Sequence, residues 1–454
     1  MVFPAFLFNY NFFEKRGCLK LTSLSDEVTT NEAGHLTIGG VDTLKLVSKY
    51  GSPLIAYDVS KIKSQISHFK QAFIDADVPY RVTYASKAFS AVAMYQLVAG
   101  EGLGCDVVSG GELVAALKGG MPAKRIEFHG NNKLPIELEM AVDAQIGCIV
   151  VDNFQEIAYL DKILKEKDTT ISVVVRVAPG IEAETHKYIS TGQENSKFGF
   201  DVHSGQAKKA LKELLDNPRM NVLGVHCHIG SQIFAARGFV MAVDKMVSLL
   251  QQWHEEFGFS AKLLNLGGGF GARYVDSDAP SPAEDFVKQI IAEVKEKIAA
   301  ANLEFPEIWI EPGRSLVAEA GSTLYTVGSR KDVEGVCHFV AVDGGMGDNI
   351  RPALYQAKYD AILANKPHAL KEQIVTVVGK YCESGDILVK DALLPITHPG
   401  DILAVPSTGA YGYTMASNYN RNPRPAVVFC EDGQDKLIIR RETYDDLLSY
   451  DLGL

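Results

Sequence analysis

The run RVTYASKAFS, Arg81 to Ser90, sets Lys87 after an alternating apolar stretch that reads as a buried strand and before one that reads as a helix. Lysine is seldom buried without a partner, so an ammonium group at an inward strand end demands an explanation. One explanation is that Lys87 snorkels to the surface on its aliphatic stem. The other is a desolvated amine of lowered pKa, suited to forming a Schiff base with a carbonyl. Its neighbours weigh on the choice. Other apolar runs also end in polar residues: Ser109, His129 with Asn131, Asp152, Arg176, His228 with Ser231, Gly267 to Gly269, then Glu311 and Arg314.

Each of these has a plain structural alternative. Ser109, Asp152 and the glycines suit helix caps or turns, and His129 and His226 suit core histidines with satisfied hydrogen bonds. The HCH run, His226 to His228, points both imidazoles to one face of a strand, but no carboxylate follows at ligand spacing, so no metal is expected. NLGGGFGA, Asn265 to Ala272, fits a variant dinucleotide fingerprint, yet only one strand follows it, where a dinucleotide fold needs more. A glycine turn with free N–H groups can equally hold a single phosphate. A lysine amine, a phosphate cradle, a histidine able to stack on a flat ring and the carboxylate of EPGR are together what pyridoxal 5'-phosphate requires.

These groups need a scaffold that gathers strand ends. From Val82 onward, short β-type runs ending at YASK, CDVVS, IEFHG, IVVDN, VVVRVAPG, VHCHIG, LLNLGGG and IWIEPGR alternate with helical patterns such as FQEIAYLDKILKEK. Eight such units predict a (β/α)8 TIM-like barrel, with side chains for chemistry at the strand C-termini. An open doubly wound sheet would give the same alternation, because strand order is not written in it. After about Ser315 the runs are β-type, separated by Gly, Pro and Asp, which predicts a second, all-β domain. The early PLIAYD run, Pro53 to Asp58, precedes the eight strands and is expected to pair with that domain. The predicted divisions are an extension over 1–30, a segment over 31–58 that joins the β domain, a barrel over 59–315 and the C-terminal domain over 316–454.

Composition narrows the class. The chain has 454 residues, 46% of them hydrophobic, and a net charge of −11 without any Lys/Arg run, which excludes nucleic acid and anionic membrane as expected partners. Its seven cysteines are scattered and form no CxxC pair, as suits a reducing, cytoplasmic setting. The apolar start MVFPAFLFNYNFF lacks the basic flank and cleavage site of a signal and is broken by Asn9 to Asn11. EKRG, which a purine-rich tract resembling a ribosome-binding site can encode, precedes Leu19, so residues 1 to 18 are expected to lie upstream of the natural start.

In order along the chain, YASKAF, FHGNNK, HCHIGSQ, NLGGGFG, EPGRSLV, DNIRPALY, CESGD and GAYGYTMASNYN resemble the diaminopimelate decarboxylase family, among the alanine racemase-like, fold-type III pyridoxal phosphate decarboxylases. The resemblance runs from about Asn31 to the C-terminus. It implies that Lys87 bonds the cofactor aldehyde and that His228 lies on the ring. It further implies Ser231, Gly268, Gly269 and Gly313 near the phosphate, Glu311 at the pyridine nitrogen, and Tyr411 touching both cofactor and substrate. Arg314, Arg351 and Tyr355 match substrate-binding positions, where guanidinium forks suit a distal carboxylate. In such a family CESGD enters the active site of a second subunit, so Cys382 would give a proton to Cα and Glu383 would bind the distal amino group of a homodimer's substrate.

The implied reaction is decarboxylation of meso-2,6-diaminopimelate to L-lysine in lysine biosynthesis. Related decarboxylases of ornithine and arginine carry Asp after that cysteine, whereas Glu383 stands here. Ornithine, arginine and carboxynorspermidine remain the alternative substrates. Alanine racemase is disfavoured because it does not need the paired arginines, and a cofactor-free binding protein resembling antizyme inhibitor is disfavoured by the presence of both Lys87 and Cys382.

Overall fold

The computed structural model describes residues 28–181 and 196–454. The expectations for residues 1 to 18, and for most of the extension over 1–30, lie outside the described residues. The first labelled strand, β1 (Leu54–Asp58), belongs to the second domain; the next eight are β2 (Tyr80–Ala85), β3 (Gly104–Val107), β4 (Ile126–Phe128), β5 (Cys148–Val151), β6 (Ile171–Ala178), β7 (Met220–His226), β8 (Leu263–Asn265) and β9 (Glu307–Ile310). They pair in parallel in chain order, and β9 returns to β2 with Ile310 opposite Val82. The barrel is closed, and the open-sheet alternative falls.

Valine and isoleucine fill the strands because parallel strands under helices are buried on both faces; all four residues of Cys148–Val151 are buried. The covering helices are amphipathic at the expected spacing: Phe154–Glu166 turns Ile157, Leu160, Ile163 and Leu164 inward. One of the plain alternatives holds, and the neighbour of another acts in the same way. Ser109 caps the helix Gly110–Lys118 by accepting the Glu112 N–H at 3.2 Å, and Asn153 caps Phe154–Glu166 through the Glu156 N–H at 3.0 Å. Asp152 does something else: it accepts the Gly199 N–H at 3.0 Å and lies 3.7 Å from Arg176.

The second domain is a mixed sheet. Its long strand β10 (Gly321–Val333) pairs with β11 (Cys337–Val342), followed by β12 (Gln373–Val378) and β13 (Ile387–Leu394); β14 (Ile402–Val405) also joins β10, and β15 (Ala426–Glu431) and β16 (Gln434–Ile439) form the other edge. As expected from PLIAYD, β1 enters this sheet, antiparallel to β10 and parallel to β15. That insertion ties the domain to the barrel mouth. Buried Tyr57 on β1 stacks on Phe89, two residues past Lys87, with centroids 4.6 Å apart, and donates its hydroxyl to the Gly409 carbonyl at 2.6 Å. An aromatic pair of this kind adds about 0.5–1.5 kcal/mol beyond the area it buries.

Candidate active site

Lys87 follows β2 in a single 3-10 turn, Ser86–Ala88. Three hydrogen bonds fix that turn. The Ser86 N–H donates to Asp106 on β3 at 3.0 Å, while Tyr411 N–H and Thr414 Oγ1 from the β domain reach the Ala88 carbonyl at 2.9 and 3.3 Å. Ser86 and Ala88 are buried, yet Lys87 itself is accessible through the barrel mouth. The expected lowered pKa is not found. Withdrawal from bulk water pulls the ammonium down, but Tyr411, Asp106 and Glu311 outweigh it and hold Lys87 above its ordinary value.

Behind the lysine stands a buried carboxylate. Glu311, one residue past β9, meets His129 at 3.2 Å, His226 at 3.3 Å and the Asn265 amide at 2.7 Å. Glu127, in the middle of β4, accepts from Thr83 at 2.6 Å and from Asn265 at 3.1 Å, and lies 3.7 Å from His129. Burial alone would neutralise Glu311; the two imidazoles instead hold it well below the usual carboxylate range. Burial lowers His129 too, but Glu311 and Glu127 reverse that and raise it to about 9. His226, with no second acid, is pushed down to about 4 by burial. Glu127 moves up, again through burial. The arrangement keeps one ionised carboxylate at the barrel axis, the group a cationic heterocycle needs.

His228 is held well below its ordinary pKa by burial and by the Lys87 and Arg176 charges, so its ring is neutral. A neutral imidazole can stack on a pyridinium without setting one cation on another. Its Nδ1 accepts the Gly268 N–H at 3.2 Å. Around it the backbone is crowded: a Cβ on Gly267, Gly268 or Gly269 would come within 2.5 Å of the Cys227, Glu311 or Gly230 carbonyl oxygen respectively, and one on Gly313 within 2.7 Å of Ala85. Gly267 and Gly269 also take positive φ, +67° and +112°. Only glycine fits, and the turn presents backbone where a phosphate could approach. Gly267 and Gly268 spend their N–H groups on Asn265 and His228.

On the other side of the mouth, two buried arginines rest on tyrosines. Arg314 donates to Ser231 at 3.1 and 3.3 Å and to Tyr274 at 2.6 Å, and its guanidinium lies 4.8 Å from the Tyr411 ring centre. Arg351 donates to the Tyr359 hydroxyl and lies 4.5 Å from the Tyr274 ring centre. Among the described residues neither has a carboxylate within 4.0 Å, an uncommon state for a buried guanidinium. Tyr355, at the end of the short helix Arg351–Tyr355, is half-buried.

The cofactor-binding half of the chain, residues 59–318, matches the family model described as pyridoxal-dependent decarboxylase, pyridoxal binding domain. Over 422 residues the chain is 57% identical to the diaminopimelate decarboxylase of Bacillus subtilis, covering 93% of this chain and 96% of the relative. The chain belongs to the diaminopimelate decarboxylase family. It is also 44% identical over 425 residues to the Staphylococcus aureus enzyme of that name, covering 93% of this chain and 99% of the relative. Among solved structures it superimposes with a TM-score of 0.89, at 36% identity and covering 95% and 99% of the two chains, on the diaminopimelate decarboxylase of M. jannaschii in complex with L-lysine.

Apart from half-buried Tyr355, the members of this family's expected site fall into two groups. Lys87, His228, Ser231, Gly268, Gly269, Glu311, Gly313, Arg314, Arg351 and Tyr411 gather at the barrel mouth and its β-domain wall. Cys382 and Glu383 do not join them; both are exposed on the loop between β12 and β13. Sequence reasoning missed Glu127, Asn265, Tyr274 and Tyr359. Strand alternation held a signal for the first, since Glu127 shares a face with His129 two residues on. The two tyrosines lie in irregular segments and left no such signal.

Proposed function

We infer that this chain decarboxylates meso-2,6-diaminopimelate to L-lysine and CO2 with pyridoxal 5'-phosphate, as a homodimer in the cytoplasm. Family membership supports the reaction, and the observation that carries the substrate choice is the pair of buried arginines, Arg314 and Arg351, that lack a carboxylate partner among the described residues. A dicarboxylate substrate supplies one. Among the described residues no helix is long and apolar enough to cross a membrane.

When bound, pyridoxal phosphate supplies a protonated ring that withdraws electrons from the substrate's Cα. Lys87 would provide the amine that holds the cofactor at the barrel mouth. Glu311 keeps the proton on the ring nitrogen, and His228 offers a flat neutral face. Gly269, Gly313 and Ser231 hold the phosphate, although Ser231 also accepts from Arg314 and so links phosphate and substrate sides. Arg314, Arg351 and Tyr355 take the distal carboxylate, which fixes the other carboxyl group for loss as CO2. Tyr411 spans cofactor and substrate. The partner subunit's Cys382 delivers a proton to Cα, and the partner subunit's Glu383 takes the distal ammonium group.

The test is CO2 release from meso-diaminopimelate with and without added cofactor, beside ornithine, arginine and carboxynorspermidine. Strong preference for diaminopimelate and dependence on the cofactor are expected; equal turnover of ornithine would overturn the substrate assignment. A near-visible absorption band lost in Lys87→Ala separates an enzyme from a cofactor-free binding protein.

A further inference from the structure

We propose that Asn265 is a positioning residue that aims Glu311 at the cofactor's ring nitrogen and couples that aim to the glycine turn. This rests on the cofactor assignment above. Asn265 is fully buried at the end of β8, and both ends of its amide are engaged: Nδ2 donates to Glu311 Oε1 at 2.7 Å and to Glu127 Oε2 at 3.1 Å, while Oδ1 accepts the Gly267 N–H at 2.9 Å. The opposite amide orientation would face an oxygen against two carboxylate oxygens and an NH2 against an N–H, so the network admits only one. Thr83 fixes the far end by donating to Glu127 Oε1 at 2.6 Å. The line Thr83, Glu127, Asn265, Glu311 thus crosses the barrel interior from β2 through β4 and β8 to the end of β9.

The other two partners of Glu311 are imidazoles, which can exchange a proton with the carboxylate. Asn265 cannot. It fixes the carboxylate's direction without altering its charge, and through Gly267 it fixes it relative to the turn, whose backbone runs so close to Cys227 that a Cβ on Gly267 would lie 2.5 Å from the Cys227 carbonyl oxygen. A ligand whose phosphate and ring nitrogen are both gripped needs these two contacts held at a set separation.

The test compares binding of pyridoxal phosphate with that of 1-deazapyridoxal phosphate, in which carbon replaces the ring nitrogen, to the full-length chain stripped of cofactor. The wild type is expected to prefer pyridoxal phosphate. Asn265→Ala should reduce that preference about tenfold, the size of one lost hydrogen bond to a charged group, whatever it does to both affinities together. An unchanged preference would mean that Asn265 serves the fold alone and would overturn the proposal. Thr83→Val, a smaller change, should reduce the preference about two- to threefold and decides the matter if the alanine variant does not fold, an unchanged ratio again being the contrary result. A wild type without any preference would instead refute the assignment of Glu311 to the ring nitrogen.

Discussion

At the barrel mouth Glu311 is 5% exposed and engaged by His129, His226 and Asn265, whereas Cys382 and Glu383 stand exposed at a loop tip. The base of that tip is nonetheless firmly built. Buried Asp386 accepts the Tyr381 N–H at 2.9 Å and the Met346 N–H at 2.7 Å, Cys382 N–H donates to Asn420 at 2.9 Å, and Tyr381 stacks on Tyr419. One region sets an accessible Lys87 over a buried carboxylate and buried arginines within the chain; the other holds its groups out on a hydrogen-bonded support. Such a contrast suits a site completed by a second copy, because a tip whose base is already hydrogen-bonded has less left to order on entering a partner's cavity.

The largest effect should come from the buried region. Lys87→Ala is expected to lower turnover by roughly 10⁴-fold or more, with loss of the near-visible band at saturating cofactor. Cys382→Ala should lower kcat by about 10²–10³-fold, the usual share of a positioned proton donor, with the band retained. If it also abolished cofactor binding, the two regions would not be separable. Arg351→Lys should raise KM for diaminopimelate roughly tenfold, with a smaller change in kcat, because lysine loses the fork and the stack on Tyr274. Steady-state kinetics on purified variants checks both.

The smallest effect concerns the support of the exposed tip. Asp348 accepts the Gly345 N–H at 3.1 Å and the Tyr381 hydroxyl at 3.4 Å, and burial raises its pKa to about 7. A folded-state pKa above the unfolded value means that the group's contribution is complete below about pH 4 and fades as pH rises through 7. Asp348→Asn should therefore remove part of the decline in Tm across that window and leave the variant a few degrees more stable at pH 8. Thermal melts between pH 5 and 8 check it, and parallel profiles for the two proteins would contradict it.

Much of the buried region was legible because a barrel strand that ends in Lys, His or Glu breaks its own apolar pattern, as YASK, VHCHIG and IWIEPGR do. The eight strands and the entry of β1 into the second sheet followed from the same patterning. What failed to show was anything set by side chains distant in sequence. From its own strand Lys87 reads either as a snorkelling cation or as an amine of lowered pKa; Tyr411, Asp106 and Glu311, none of them its sequence neighbours, hold it above its ordinary value. Glu127 went unremarked and Asn265 stood only as the first residue of NLGGGFGA; closure of the barrel brings both into one network with Glu311. The position of Cys382 rests on the β12–β13 hairpin and on Asn420, which no local spacing near CESGD reveals.

The most direct measurement mixes two inactive proteins. If each active site takes Lys87 from one subunit and Cys382 from the other, unfolding and refolding Lys87→Ala with Cys382→Ala in equal amounts makes half the dimers mixed, each with one intact site, and should restore about one quarter of wild-type activity. Activity that stays at the level of the separate variants would contradict the shared site and leave the exposed tip without its proposed role.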